Sequence, residues 1–285
     1  MTTLRRPLGN VLVAVDLSAS SAAVIERAAR LPLTAGSSIT LLHVVPQGFG
    51  LSPVPDAAAD EESQRGLAAA AARVSELAAE GVAVLTALGH GVPFVEIIRR
   101  ARDERVELVV LGRHGHRTFA DALIGSTAER VFRKGDVPAL IVSGAPDGAY
   151  RRPMVAVDLS DTSRRALELA LRVTDPQAAP IEVVHSWDMA AGGDPEERDG
   201  TGLARFLAEF GDAAVSWHVT VRPGDARSVI LAEAARRKVD LLALGTHGRS
   251  SLTYILVGSV AEAIVRAATC DVLVARASKR EFQLP

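Results

Sequence analysis

Two patterns alternate along the chain. Short apolar runs rich in Val, Ile and Leu, such as "VLVAV" from Val11, "LVVL" from Leu108 and "ALIV" from Ala139, are four to six residues long. Between them stand amphipathic stretches such as "SSAAVIERAARL" and "PFVEIIRRARDE", with apolar residues at helical spacing. Strands that are apolar almost throughout are buried on both faces, which predicts a parallel sheet covered by helices. In the first part of the chain the strands are expected at Val11–Asp16, Ile39–Val45, Val82–Leu88, Leu108–Gly112 and Ala139–Val142. Five strands with four crossovers make a doubly wound α/β domain.

The pattern then repeats. "VAVDLS" occurs identically at Val13–Ser18 and Val155–Ser160. "SITLLHVV" from Ser38 matches "PIEVVHSW" from Pro180, and "VELVVLGRHG" from Val106 matches "VDLLALGTHG" from Val239. Asp16 and Asp158 are 142 residues apart, as are His43 and His185; Gly112 and Gly245 are 133 apart, as are Gly125 and Gly258. The second copy is therefore nine residues shorter, and the loss lies between its second and fourth strands. The polar, turn-rich link "SGAPDGAYRRP" separates the copies, giving domains at 1–146 and 150–285.

Composition narrows the class. The 285 residues suit two ordinary domains, and 48% are hydrophobic, enough for packed cores. With 32 basic and 34 acidic side chains the net charge is −2, which gives no electrostatic case for nucleic acid or an anionic membrane as partner. The N-terminal "MTTLRRPLGNVLVAVDLS" has no signal-like apolar core, and no apolar run is long enough to span a bilayer. Cys270 is the sole cysteine and forms no internal disulfide, so a reducing, cytoplasmic setting is expected.

The candidate chemistry lies at strand ends. In such sheets ligands bind beyond the carboxyl ends of the strands, where the strand order reverses. Strand one ends at Asp16 and Asp158, and strand four at Gly112 and Gly245. If strands one and four are neighbours, both features face one crevice. Glycine lets backbone N–H groups approach an anion closely and permits a positive φ. Gly125-Ser126-Thr127 and Gly258-Ser259 then open a helix, where free N–H groups and the dipole favour phosphate. The rival reading makes Ser126 and Ser259 ordinary N-caps. Neither copy carries Gly-x-Gly-x-x-Gly after its first strand or a Gly-x4-Gly-Lys-Ser/Thr loop, so the usual dinucleotide and P-loop readings fail.

The spacing Gly-x2-Gly-x9-Gly-Ser after the fourth strand resembles the nucleotide-binding signature of the universal stress protein family. The opening "VLVAVDLS", the "LLHVV" strand and the closing "VPALIV" and "CDVLVA" strands are similar to that family too, twice over nearly the whole chain. The resemblance implies a Rossmann-like fold of the adenine nucleotide alpha hydrolase type, with strand order 3-2-1-4-5, and ATP as ligand, with or without Mg2+. Carried over by position, Asp16 and Asp158 lie by the adenosine, and Val44 and Ser186 meet adenine through the backbone of strand two. Gly112, Gly115, Gly125 and Ser126 hold ribose and phosphates, as do Gly245, Gly248, Gly258 and Ser259. Thr127 adds a phosphate contact in the first copy, where the second has Val260. The position after the second glycine, basic in such sites, is Arg249 in one copy and His116, followed by Arg117, in the other. The family also pairs domains through their last strands, which allows pairing of the two halves within one chain and a homodimer of two chains.

Other residues read more plainly. His114 and His116 form a His-x-His without a third metal ligand at a meaningful spacing, so no metal site is expected. His43 and His185 read as structural imidazoles, and Cys270 as a small core residue. The third-strand turn "GHGVPFVEII" finds only a reordered counterpart in "RPGDARSVIL". Three functions stay open: a nucleotide-dependent regulator in stress response, a slow ATP hydrolase or phosphotransferase in the same crevice, and a structural adaptor without nucleotide. Hydrolysis needs an oriented water and charge stabilisation. The sequence offers Asp16, Ser126 and Arg117 but no dedicated base, so weak ATPase activity at most is expected.

Overall fold

The computed structural model describes residues 6–47, 57–113, 124–174, 180–188, 195–211, 216–246 and 258–276. Contacts divide the chain between Gly148 and Ala149.

In the first half the elements run β1 (Asn10–Ala14), α1 (Ser21–Ala29), β2 (Ser38–Pro46), α2 (Ala57–Leu77), β3 (Ala83–Gly91), α3 (Pro93–Asp103), β4 (Leu108–Gly112), α4 (Ser126–Lys134) and β5 (Ala139–Val142). All strand pairs are parallel, in the order β3-β2-β1-β4-β5. In the second half they run β6 (Pro153–Ala156), α5 (Asp161–Val173), β7 (Ile181–Trp187), α6 (Pro195–Arg198), α7 (Thr201–Ala208), β8 (Trp217–Pro223), α8 (Ala226–Arg237), β9 (Leu241–Gly245), α9 (Ser259–Ala267) and β10 (Asp271–Ala275). The order β8-β7-β6-β9-β10 is again parallel and repeats the first. Strand one thus lies between strands two and four in each half, and the order reverses beside it.

Continuous apolar text becomes central strand. Leu12, Val13, Leu108 and Val110 are fully buried, as are Val155, Leu241 and Leu242. The outer strands differ: β3 and β8 are largely exposed, with Leu85 and Val219 about half in water. Helix α2 buries Ser63, Leu67, Ala70 and Val74, one narrow stripe at helical spacing. The nine-residue loss leaves two short helices in its place, α6 and α7. Between them Gly200 is left-handed (φ +78°), and the Asp199 carboxylate accepts from the Thr201 N–H at 2.9 Å, which turns the chain.

Strand one is shorter than expected. It ends at Ala14 and Ala156, two residues before the aspartates. The N–H groups of Val15 and Val157 still reach Leu42 and Val184, but the chain then turns through Leu17 (φ +57°) and Leu159 (φ +62°). A left-handed leucine costs roughly 1–2 kcal/mol, so its recurrence in both halves marks a held conformation. Strand three runs on to Gly91, three residues past Leu88. The two third-strand turns converge despite their different text: Gly91 (φ +126°) and Gly224 (φ +134°) both take a backbone that favours glycine. Pro93 then opens α3, whereas the Asp225 carboxylate caps α8 by accepting from the Ser228 N–H at 3.0 Å.

Helix α8 is tied to the sheet by buried Glu233. This carboxylate accepts from Arg236 at 3.0 Å and from Arg237 at 3.3 Å, and Arg237 also reaches Glu182 on β7. The Arg236 hydrogen bond, then that of Arg237, hold the Glu233 carboxyl below its ordinary value against the opposing effect of burial. Its stabilising effect is therefore full above the ordinary glutamate range, about pH 4.3, and fades as pH falls through the lowered value. Glu233→Gln is expected to lower the melting temperature at pH 7, with the gap from the parent protein closing below about pH 4. Thermal melts followed by circular dichroism across that range check this.

Candidate functional site

The second half holds a cleft of about 330 Å³ at the carboxyl edge of its sheet. One wall is the end of β6 with Ala156, Val157 and Asp158. Val184 and Ser186 of β7 and Ala226 and Ile230 of α8 form a second. Leu244, Gly245 and Thr246 at the end of β9 make the floor, and Gly258, Ser259, Val260 and Ala261 at the mouth of α9 close it. Five positions expected from sequence, Asp158, Ser186, Gly245, Gly258 and Ser259, therefore line one cavity. Gly248 and Arg249 lie outside the described residues, as do Gly115, His114, His116, Arg117 and His247.

In the first half the same offsets place Asp16 after β1, Val44 on β2, Gly112 at the end of β4, and Gly125, Ser126 and Thr127 at the start of α4. β1 pairs with both β2 and β4, so these positions share one end of three adjacent strands.

The mouths of α4 and α9 are built alike. Gly125 and Gly258 are the N-caps, with φ −61° in both and ψ near 144°, and no side chain caps either helix. Neither glycine has a positive φ, and Ser126 and Ser259 are the first helical residues, so the rival reading of them as N-caps does not hold. The N–H groups of Gly125 and Gly258 are also committed: each donates at 2.7 Å to the carbonyl of Arg113 or Thr246. The amides left open are those of the following three residues, which have no partner within the helix. Glycine as cap matters because it carries no side-chain oxygen to occupy them. In the same half Ser160 caps α5 and Asp225 caps α8, each accepting from an N–H three residues on.

Gly245 has a different reason for being glycine. A Cβ there would stand 2.5 Å from Thr162 Oγ1 and 2.9 Å from the Thr162 carbonyl carbon, inside the hard-sphere limit. The missing side chain lets α5 close onto β9.

The aspartates are held locally. Asp16 Oδ1 accepts from the Ser18 N–H at 3.1 Å, from Ser18 Oγ at 2.6 Å and from Ser21 Oγ at 2.6 Å. Asp158 Oδ1 accepts from the Ser160 N–H at 3.1 Å and from Ser160 Oγ at 2.5 Å. The imidazoles act just upstream. His43 Nδ1 lies 2.9 Å from the Val15 carbonyl oxygen, and His185 Nδ1 lies 2.7 Å from that of Val157. A carbonyl oxygen only accepts, so Nδ1 carries the proton in both. These histidines are structural clamps on the strand that presents each aspartate.

Sequence reasoning missed Thr246, which is fully buried, and the helical contributors Ala226 and Ile230. Thr246 directly follows the strand-four glycine, which was a usable signal. Ala226 and Ile230 stand four apart on one face of α8, visible only once the helix register is known. Among the described residues no three metal-ligating side chains come together, and no helix is long and apolar enough to cross a membrane.

Fold and site together define a tandem, doubly wound α/β protein with an uncapped helix mouth at the switch point of each half. The family model for the universal stress protein family matches residues 7–143 and again residues 149–276, and the chain belongs to that family. A universal stress protein of Mycolicibacterium smegmatis is 28% identical over 296 residues, covering 93% of this chain and 96% of its own. One of Methanocaldococcus jannaschii is 28% identical over 148 residues, 47% of this chain and 87% of its own, so it corresponds to about one half. The crystal structure of a universal stress protein from Archaeoglobus fulgidus shares the fold: its TM-score is 0.73 at 24% identity, covering 94% of this chain and 98% of that one.

Proposed function

We propose that the chain is an ATP-binding regulator, in which nucleotide held at the helix mouth of each half biases shape or association during stress. One observation carries the reading: the first-turn amides of α9, left uncapped by Gly258, open into a cleft that Asp158 and Ser186 bound on the far side. Uncapped amides and a helix dipole favour phosphate. The opposite wall, apolar at Val184, Ala226 and Ile230, suits a flat base. A cavity of about 330 Å³ is within the range that holds small ligands. Ser259 Oγ would add a donor to the phosphates; a divalent ion carried with ATP would supply charge neutralisation there. Regulation requires that ATP bind one state better than another, since tight binding alone shifts nothing.

The test is direct. The purified protein is denatured, released nucleotide is identified, and added ATP is followed for product. Retained ATP with slow or no turnover is the expected result; rapid multiple turnover would favour a hydrolase, and no nucleotide at any ATP concentration would leave an adaptor. A cytoplasmic location and a homodimer of two chains belong to the same reading. Light scattering with and without ATP reads the dimer, expected at twice the 30.0 kDa chain mass. Val260→Thr, nearly isosteric, supplies the hydroxyl that Thr127 gives the first half. It is expected to tighten ATP binding in the second half up to about tenfold, as measured by calorimetric titration.

A further inference from the structure

In both halves the chain leaves strand one through the turn Asp-Leu-Ser with a left-handed leucine, Leu17 at φ +57° and Leu159 at φ +62°. Leucine seldom adopts this backbone, so the surroundings must hold it. Upstream, the imidazoles of His43 and His185 fix the carbonyls of Val15 and Val157. At the turn itself, Asp16 Oδ1 and Asp158 Oδ1 accept from the serine two residues on.

The downstream hold is a notch. A Cβ added at Gly66 of α2 would stand 2.9 Å from Leu17 Cδ1, and one at Gly202 of α7 would stand 3.3 Å from the Glu196 carbonyl oxygen and 3.4 Å from Leu159 Cδ1. Each leucine side chain thus lies against a glycine of a helix between strands two and three. These helices sit in the most divergent part of the repeat: α2 has 21 residues and α7 has eight. Yet the triplet Gly-Leu-Ala recurs at Gly66-Leu67-Ala68 and Gly202-Leu203-Ala204, and Leu67 and Leu203 are both buried. What the divergent segments share is the socket.

We infer that Leu17 and Leu159 are positioning residues for the nucleotide site, locked by the glycine sockets of α2 and α7 so that Asp16 and Asp158 stay directed at the ligand. The inference rests on the nucleotide reading above. Its consequence is a mechanical link: displacing α2 or α7 frees the leucine, relaxes the turn and carries the aspartate off its position.

The experiment fills the sockets in the full chain with Gly66→Leu and Gly202→Leu together. Leucine is a strong helix former, so the helices persist while the docked side chains are expelled. ATP affinity is expected to fall about tenfold or more, the effect of disturbing a hydrogen bond to a charged ligand, while the melting temperature holds. Adding Leu17→Gly and Leu159→Gly removes the expelled side chains, and glycine takes the left-handed turn freely. Affinity is then expected to stay low, because no side chain is left for the sockets to hold and the turn is free. If the filled-socket protein does not fold, Gly66→Ala is read in the same way, with a smaller drop expected.

Parent protein that binds ATP, with folded socket variants that bind it equally well, would overturn the positioning role alone. So would full affinity in the protein with Leu17→Gly and Leu159→Gly, where no side chain docks in the sockets. Parent protein that binds no adenine nucleotide would overturn the nucleotide reading, and this inference with it.

Discussion

An aspartate in place of Val260 is expected to abolish ATP binding in the second half and to leave the fold intact. Val260 is the second residue of α9, lines the cleft and is only partly buried. A carboxylate in the first turn of a helix interacts favourably with the dipole, by about 0.3–1 kcal/mol, so the helix itself tolerates the change. The same carboxylate would stand among the amides proposed to hold the phosphates. Two like charges about 5 Å apart at an effective dielectric near 20 repel by about 3 kcal/mol, a loss of roughly a hundredfold for each phosphate charge so placed. Thr127→Asp should do the same in the first half, and each variant should lose one ATP per chain in equilibrium dialysis. Normal stoichiometry in a folded Val260→Asp protein would remove the helix mouth from the site.

Gly245→Val is expected to give the largest loss of stability. Its side chain would collide with Thr162, including the backbone carbon at 2.9 Å, so no rotamer change relieves the overlap. Overpacking of this kind costs about 1–3 kcal/mol or somewhat more. For a domain of this size that lowers the melting temperature by roughly 2–12 °C. Gly245→Ala combined with Thr162→Gly should recover part of the loss, since the contacts at Oγ1 and Cβ vanish while that at the backbone carbon remains. Calorimetry reads both. A Gly245→Val protein as stable as the parent would show that α5 and β9 are not closely packed there.

These variants separate two reasons for glycine that one spacing conceals. In the sequence, Gly245 and Gly258 belong to the same motif. In the structure the first makes room for a helix of the protein itself, and the second leaves the first-turn amides of α9 without a side-chain cap. The sequence carried the fold well, because buried parallel strands are apolar throughout and the duplicated text at Val13–Ser18 and Val155–Ser160 gave the domain count. Strand order came through resemblance, since apolar runs alone do not say which strands are neighbours. Strand ends were less legible. Asp16 and Asp158 looked like the last residues of apolar runs, but left-handed Leu17 and Leu159 begin the turn, and no propensity announces a left-handed leucine. Ile230 and Ala226 were hidden for another reason: their place in the cleft depends on how α8 lies over the sheet. The Gly-Leu-Ala sockets were hidden by the deletion, which shifts them to an offset of 136 residues, away from both 142 and 133.

Native mass spectrometry of the intact chain in excess ATP tests the central claim most directly, because it counts nucleotides on each molecule. Two bound ATP molecules, one for each helix mouth, is the predicted spectrum. A spectrum showing only the bare chain would contradict the account.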